Sequence, residues 1–253
     1  MKVVLICIAC NEDHYIDEWI NYHKLIGVDE IFIYQNNWRC SLKNNDETIH
    51  LIEWDGQIKQ LAAYNDFKDK HYNDFDFGIF IDCDEFVCLK QHNNIKEFLN
   101  EYTDFGGVGL NWKNFGDSHL DFNGNYNVLK RFTLAQNGLH KGIKTIINFN
   151  KIKNNFTFIC AHCIDRINII VNVEKTHYIN GPFNETENNN IIQLNHYRKT
   201  RHEFIERRKH GAPDKIMTDK DIQNSINTQF DTEYIHYNNE EDLNIINYLD
   251  KHK

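Results

Sequence analysis

Two aspartates that follow an apolar run are the residues of this sequence with the clearest capacity for chemistry. The run Phe77–Ile81 predicts a buried strand, and Asp82-Cys83-Asp84-Glu85 follows it directly. Asp82 and Asp84 are two residues apart, so in an extended segment their side chains point the same way. Paired carboxylates suit Mg²⁺ or Mn²⁺, which commonly bind substrate phosphates as well. The pattern therefore predicts a metal–diphosphate site for a nucleotide-activated substrate, with an acidic turn as the alternative interpretation.

The composition limits the class of protein. The chain has 253 residues, 41% of them hydrophobic, so it can bury the core of one large domain. Its net charge of −9 argues against nucleic acid as a partner. The apolar run from Val3 to Cys10 is too short to span a bilayer and fits a signal peptide poorly. We therefore expect a cytoplasmic protein whose first core strand is Val3–Ala9.

The cysteines form two C-x-x-C pairs, Cys7/Cys10 and Cys160/Cys163, within an odd total of seven. Together the pairs could supply four thiolates to a structural zinc. The first pair, however, lies in an apolar strand, where cysteine behaves as a small hydrophobic residue. The odd total suits a reducing compartment, and we do not expect a zinc site.

Strand and helix patterns alternate in the first hundred residues. Strands are predicted at Lys2–Ala9, Glu30–Tyr34, Thr48–Trp54 and Phe77–Ile81, and helices from about Ile16 to Gly27, at Gln57–Lys70 and at Ile95–Tyr102. Such alternation predicts a parallel sheet with helices on its faces, where ligands bind beyond the carboxyl ends of the strands. Asn11-Glu12, Gln35-Asn36-Asn37 and the acidic motif all follow strands, so they should converge on one crevice.

The second half is richer in short strands. They are predicted at Gly107–Trp112, Asn127–Phe132, Lys141–Asn150, Phe158–Ala161, Asn168–Val173 and Ile192–Tyr197. A basic helix, about Arg201–His210, follows, and the tail Asp231–Lys253 predicts a packed C-terminal helix. No linker rich in Pro, Gly or Ser separates the halves, so the change near residue 104 falls within one domain.

Several segments, in order from residue 7 to about 212, carry a resemblance to one family. They are Asn11–His23, Gly27–Asp29, Ile33–Asn36, Gln60 with Tyr64, Phe80–Phe86, Leu110–Trp112 with Phe115-Gly116, Lys144, Asn195–Tyr197, Glu203-Phe204 and Lys209–Gly211. In series, this set resembles the family 92 glycosyltransferases and their bacterial relatives akin to family 2.

The resemblance implies an α/β GT-A fold, a Rossmann-like mixed sheet with helices on both faces. Residues 1–104 would bind the nucleotide sugar, 105–212 the acceptor, and 213–253 would form a helical tail of the same domain. The resemblance also implies a nucleotide-sugar donor, usually a UDP-sugar, Mn²⁺ or Mg²⁺, and inverting transfer to an acceptor hydroxyl, which we expect to belong to a glycan or lipid-linked glycan. The sequence departs from many relatives at two segments of the acceptor half, Asp117-Ser118-His119 and Cys160-Ala161-His162-Cys163. The resemblance therefore does not identify the acceptor.

The metal would be held by Asp82, Asp84 and His196. A neutral imidazole is an acceptable Mn²⁺ ligand, and a histidine near the C-terminus that completes the metal shell recurs in GT-A enzymes. The residues expected to contact the donor are Asn11, Glu12, Asn36, Gln60, Tyr64, Asp82 and Lys144. Lys144 would offset charge that develops on the leaving diphosphate. The alternatives are helix capping for Asn11 and Glu12, packing for Gln60 and Tyr64, and an exposed strand position for Lys144.

Inverting transfer also needs a general base near the acceptor hydroxyl. Asp117 follows a strand and a Phe-Gly turn, where a side chain can reach a crevice, and Asp121 and Glu203 compete for the role. The basic stretch of residues 198–209 is either a solvated helix face or a contact for phosphate. That phosphate would belong to the donor or to an anionic lipid-linked acceptor, and membrane contact through this stretch alone would be weak.

Two other functions stay open at this point. One is a sugar-nucleotide nucleotidyltransferase, although its glycine-rich phosphate loop near the N-terminus is missing. The other is a non-catalytic carbohydrate- or cation-binding protein with purely structural acids. UDP release from UDP-sugars in the presence of Mn²⁺ would distinguish glycosyl transfer from both.

Overall fold

The computed structural model describes residues 1–43, 46–185, 190–209 and 218–252. His210 and Gly211 of the basic motif and Lys253 of the tail lie outside the described residues. The strands are β1 (Val3–Ala9), β2 (Glu30–Gln35), β3 (Ile49–Glu53), β4 (Phe77–Phe80), β5 (Glu85–Leu89), β6 (Gly107–Phe115), β7 (Leu134–Ala135), β8 (Ile143–Asn148), β9 (Phe158–Cys160), β10 (Cys163–Ile164), β11 (Ile170–Val171), β12 (Tyr178–Ile179), β13 (Ile192–Tyr197) and β14 (Glu240–Glu241). The α-helices are α1 (Ile16–Leu25), α2 (Gln60–His71), α3 (Ile95–Asn100), α4 (Val128–Arg131), α5 (Phe149–Ile152), α6 (Arg201–Lys209), α7 (Asp219–Ser225) and α8 (Asn244–Lys251).

The parallel sheet predicted for the first half is confirmed. β1 pairs in parallel with β2 on one side and β4 on the other, and β2 pairs in parallel with β3. Every residue of β1 is buried, because helices cover both faces of the sheet. Alternate residues of β1 enter different cores: Leu5 packs with α1 and α3, and Ile6 packs with α2.

The second half extends this sheet with antiparallel strands. β8 pairs antiparallel with both β4 and β6, which gives the order β12-β11-β6-β8-β4-β1-β2-β3. Strands from both sides of residue 104 therefore share one sheet. The architecture is the mixed α/β class that the sequence predicted, consistent with a Rossmann-like glycosyltransferase fold.

A second ladder forms where β13 lies between β5 and β6. β13 is antiparallel to β5 and parallel to β6, and this register places His196 opposite Glu85 and beside Asn114. Helix α1 packs on β5, since Trp19 Nε1 donates to the Glu85 carbonyl and Tyr22 OH to that of Val87. The sequence pattern did not predict β5, which begins at Glu85, the last acid of the Asp-Cys-Asp-Glu motif.

The strand predicted at Asn127–Phe132 is wrong, because this segment contains the short helix α4. Asn127 caps the helix by accepting a hydrogen bond from Lys130 N. The carboxylate of Glu18, in α1, accepts hydrogen bonds from the backbone N–H groups of Val128 and Leu129. A tertiary contact thus satisfies a helix N-terminus that the local pattern did not indicate.

The tail contains the predicted C-terminal helix, α8, which packs on β5 through Ile245 and Tyr248. A π-helical segment, Ile226–Glu233, and a 3₁₀ turn, Tyr234–Tyr237, precede it. Phe204 of α6 packs against Phe230 and Tyr234 of these segments. In the described part of the chain, no helix is both long and apolar enough to cross a bilayer.

Candidate active site

Asp82 lies just beyond the carboxyl end of β4, with about a quarter of its side chain exposed. Gln60 Nε2, at the start of α2, donates to Oδ1 at 2.8 Å, and Lys144 Nζ, on β8, lies 3.0 Å from Oδ2. Burial alone would lower the pKa of Lys144, but the charges of Asp82 and Glu85 raise it above its usual value. Gln60, Asp82 and Lys144, three predicted donor contacts, therefore lie together, and Lys144 is buried, not on an exposed strand position.

Tyr64, the fourth predicted residue of this group, is fully buried. Its ring packs edge-to-face against Phe80 and Phe158, and its hydroxyl accepts a hydrogen bond from Gln60 Nε2 at 3.3 Å. Tyr64 therefore supports Gln60 from the core side. A direct donor contact through Tyr64 stays a prediction.

Glu85 is fully buried at the first position of β5. Its carboxylate accepts hydrogen bonds from Trp112 Nε1 at 2.7 Å and from the backbone N–H of Asp82 at 2.8 Å. Burial raises the pKa of Glu85 to about 8, against the opposing charge of Lys144. Glu85 thus fixes the backbone of the acidic loop and lies beneath the site as a group that titrates close to neutrality.

Asp84 is buried, and its Oδ2 receives a hydrogen bond from a guanidinium nitrogen of Arg207, on α6. Burial would raise the pKa of Asp84, yet Arg207 and His196 hold it well below its usual value. Its other oxygen, Oδ1, is buried and has no hydrogen-bond partner among the described residues. A buried carboxylate oxygen without a donor is costly, so Asp84 Oδ1 is a candidate ligand for a cation or a water.

His196, on β13, lies with Nε2 3.5 Å from Asp84 Oδ2 and 3.1 Å from a guanidinium nitrogen of Arg198. Burial, reinforced by the charge of Arg198, lowers the pKa of His196 to about 4. The imidazole is therefore neutral at physiological pH, and its one lone pair, on Nε2, accepts a hydrogen bond from Arg198. Its Nδ1 is buried and lacks a hydrogen-bond partner in the described part of the structure.

The donor set at Asp84 and His196 fits a divalent cation of the Mn²⁺ or Mg²⁺ type. It offers one unpartnered carboxylate oxygen and a neutral imidazole, whose Nε2 lone pair a cation would take in place of Arg198. Within residues 1–43, 46–185, 190–209 and 218–252, no group of three or more His, Cys, Asp or Glu side chains is arranged to hold a metal. A cation here would therefore complete its shell from substrate phosphate and water, as Mg²⁺ commonly does.

The polar residues after β1 and β2 lie in different surroundings. Glu12 is buried, 3.6 Å from Lys199 Nζ and 3.9 Å from Arg207 Nε, so Arg207 bridges Glu12 and Asp84. Asn11 is exposed and has a positive φ of 55°. Asn36 is buried and donates through Nδ2 to the carbonyls of residues 54 and 56, which fixes the loop after β3. Donor contacts by Asn11 and Asn36 stay predictions.

The three candidate bases differ in how their carboxylates are held. Glu203 caps α6 by accepting from Thr200 and is bound bidentately by Arg131, so it anchors the helix. Asp121 is exposed. Asp117 accepts hydrogen bonds from His119 N at 2.9 Å and Asn238 Nδ2 at 2.8 Å, and both bonds end on Oδ1.

A cavity of about 570 Å³ opens beside the bridge that Arg207 makes between Glu12 and Asp84. Its lining comes from the β1–α1 loop, the loop after β6, and α6 with the residues before it. The lining residues are Cys10, Asn11, Glu12, Asp13, His14, Tyr15, Phe122, Tyr126, Lys199, His202, Glu203, Glu206 and Arg207.

Comparison with known families shows the class of the protein. The model of glycosyltransferase family 92 matches residues 2–244. The chain belongs to glycosyltransferase family 92. No curated protein matches it. The family 92 assignment makes the chain a glycosyltransferase, which needs a sugar donor and an acceptor, and it decides against a nucleotidyltransferase and a non-catalytic binding protein.

Two residues of this family 92 enzyme had no definite role in the sequence analysis. Arg207 belongs to the basic stretch, but no local signal singled it out as the partner of Asp84. Glu85 belongs to the acidic motif, and its full burial was not predicted. The positions of both residues depend on long-range contacts. Arg207 reaches Asp84 from α6, and Glu85 lies on β5, which pairs with β13.

The two C-x-x-C pairs lie on different elements. Cys7 is on β1, with its Sγ 3.7 Å from the Sγ of Cys83 in the acidic motif. Cys160 and Cys163 are on the hairpin of β9 and β10, with their Sγ atoms 2.7 Å apart. Cys7 therefore packs against the acidic loop, as a small residue does.

Proposed function

We propose that this family 92 enzyme transfers a hexose from a UDP-sugar to a hydroxyl of a glycan or lipid-linked glycan, with inversion and with Mn²⁺ or Mg²⁺. The observation that carries the proposal is the unpartnered buried oxygen of Asp84 beside the neutral imidazole of His196. Arg198 contacts His196 and Arg207 binds Asp84, while Lys144 binds Asp82 in the same acidic motif. Such a cluster suits a diphosphate bound together with a cation.

Asp84 and His196 would hold the cation, and Asp82 would stand at its edge. When bound, the cation would neutralise charge on the departing diphosphate. Lys144 and Arg207 contribute fixed positive charge at the same place, since each is already held by a carboxylate of the acidic loop. Donors held in place before the reaction stabilise developing charge without reorganisation.

The acceptor hydroxyl must lose its proton as it attacks the sugar carbon from the side opposite the diphosphate. Asp117 is the carboxylate we assign to this task. Its Oδ1 is fixed by Asn238 and by the backbone of the loop after β6, which orients Oδ2. Glu203 is engaged by Arg131 and Thr200, and this disfavours it as the base.

The basic stretch supports a phosphate contact more than a membrane contact. Arg198 contacts His196, and Lys199 lies near Glu12. Arg207 binds Asp84, so all three cations face the site. Lys209 pairs with Glu206 on the surface of α6. We keep a cytoplasmic location as a proposal that rests on the odd number of cysteines, all free in this structure.

UDP release from a panel of UDP-sugars, measured with Mn²⁺ and with EDTA, tests the proposed function. Consumption of one UDP-sugar that stops on chelation is the expected result. Turnover that is equal with EDTA would remove the metal from the proposal, and use of a different nucleotide sugar would replace the donor.

A further inference from the structure

The cavity beside Arg207 adjoins the proposed diphosphate site at Asp82, Asp84, Lys144 and His196, but none of these four described residues lines it. Its volume of about 570 Å³ lies within the range of small-molecule sites. Arg207 belongs to both sites, because it lines the cavity and binds Asp84. An acceptor must bind beside the donor site, and this cavity shares Arg207 with the proposed donor site.

One part of the lining is a group of stacked aromatic rings. His14 stacks on Tyr126 with ring centroids 3.8 Å apart, and Phe122 stacks on His202 at 4.9 Å. Phe122 and Tyr126 meet edge to face at 5.1 Å and are both only partly buried. The negative face of an aromatic ring attracts polarised C–H groups, such as those on one face of a pyranose.

Charged side chains also line the cavity. Lys199 Nζ lies over the Tyr15 ring at 3.4 Å and near Glu12, and Glu206 on α6 is about half exposed. Carboxylates and ammonium groups beside aromatic rings suit a ligand with an apolar face and a rim of hydroxyls. A hexopyranose has this combination.

Phe122 and Tyr126 also share a loop with Asp117. The loop leaves β6 at Phe115 and reaches α4 at Val128, so the proposed base and the aromatic rings lie on one segment. Asp117 is not among the described residues that line the cavity, so the loop carries the proposed base near its start and the two rings further along.

We propose that this cavity is the acceptor site, in which a hexopyranose of the acceptor stacks on Phe122 and Tyr126. This inference rests on the proposed function, since it names the substrate class for the second half of the same reaction. It places the acceptor against residues of both halves of the chain, and it reassigns Asn11 and Glu12, which line the cavity, from the donor to the acceptor. From the resemblance, the acceptor site was predicted only in residues 105–212.

Saturation-transfer NMR with the methyl glycosides of glucose, galactose and mannose, on the chain of 253 residues, tests the inference. At least one glycoside should bind saturably, with the strongest transfer to its ring C–H protons. Phe122→Ala and Tyr126→Ala should each weaken binding about tenfold, the effect of losing a contact of about 1.4 kcal/mol. Phe183→Ala, at a ring that is 57% exposed elsewhere, is the matched control and should change nothing.

The affinity for UDP with Mn²⁺, measured by calorimetry on the same variants, separates the acceptor site from the donor site. It should match wild type in Phe122→Ala and Tyr126→Ala, and this also reports intact folding. Displacement of the glycoside by UDP alone would make the cavity the nucleoside site and overturn the inference. Equal glycoside binding by wild type and both variants, or no saturable binding to wild type, would overturn it as well. Absence of UDP-sugar turnover with intact glycoside binding would instead count against the proposed function alone.

Discussion

His196 lies directly opposite Glu85 in the antiparallel ladder between β13 and β5. Because Glu85 is the last acid of the Asp-Cys-Asp-Glu motif, this register carries the imidazole to Asp84, with Nε2 3.5 Å from Oδ2. The backbone N–H of Tyr197 also donates to the carbonyl of Asp84 at 2.9 Å. The pairing of two strands distant in sequence thus assembles the proposed metal ligands.

Asp84→Asn should abolish the metal-dependent part of UDP binding. The amide keeps the shape of the side chain but removes the charge that a divalent cation requires. Arg207, which is 42% exposed, can be solvated after it loses its partner, so we expect the fold to survive. Calorimetry of UDP with Mn²⁺ and with EDTA measures the change, and Asp104→Asn, at an exposed ion pair with Lys151, is the control. Wild-type UDP affinity in Asp84→Asn would contradict the role of Asp84.

His196→Ala should weaken Mn²⁺ binding by at least about tenfold, since even residues that only support metal ligands affect affinity by this amount. Manganese paramagnetic resonance in the presence of UDP measures the affinity directly. His140→Ala is a matched control, because His140 also packs on the Trp112 ring. If both variants bound Mn²⁺ as wild type does, His196 would be a core histidine only.

The sequence predicted the first half of the fold well because its signals are local. The apolar run of β1, the helical spacing of α1 and the acids after β4 are each visible within a few residues. These signals placed Asp82 and Asp84 at the carboxyl edge of a parallel sheet, as the structure shows.

Long-range pairing accounts for what the sequence did not predict. The partner of Asp84 is Arg207, and no local pattern distinguishes it from the other basic residues around it. α4 forms at Val128 because Glu18 of α1 binds its first N–H groups, a contact that a strand-like stretch of residues does not reveal. Periodicity reports which residues are buried, whereas strand register and tertiary capping depend on the complete fold.

His23 should make the stability of the enzyme fall in mild acid. The residue is fully buried on α1, where Nδ1 bonds the Trp19 carbonyl and Nε2 accepts from Val87 N. Burial lowers its pKa to about 3 from an ordinary value of 6.5. Between these two values the unfolded chain binds a proton that the folded chain excludes, so stability falls as pH decreases. The slope is about 1.4 kcal/mol per pH unit from this residue.

Urea unfolding at a series of pH values from 7 to 4 isolates this contribution. His23→Gln should be less stable than wild type at pH 7, by about 1–3 kcal/mol, because a buried hydrogen bond is lost. The difference should shrink as pH falls below about 6, since only wild type carries the His23 penalty. His236→Gln, at an exposed histidine, should follow wild type throughout. A gap between His23→Gln and wild type that stays constant with pH would contradict the prediction.

Asp117→Asn tests the general base of the proposed function. Asparagine retains an Oδ1 that accepts from Asn238 Nδ2 and His119 N, so the loop after β6 should keep its shape. Donor and metal binding should stay at wild-type levels, while the transfer rate falls by about 10²–10⁴-fold, the usual cost of losing a general base. Steady-state kinetics with a saturating UDP-sugar measures the rate, and slow hydrolysis of the donor should persist because water still reaches the sugar carbon.

Asn238→Ala is the control that separates chemistry from loop placement. It removes the hydrogen bonds to Asp117 and to Ser118 N but leaves the carboxylate in place. If Asp117 is the base, Asn238→Ala should retain most of the transfer rate that Asp117→Asn loses. Equal losses in the two variants would mean that Asp117 only shapes the loop. An unchanged turnover number with a raised acceptor KM in Asp117→Asn would make the residue an acceptor contact, and the base would then have to be sought at Asp121.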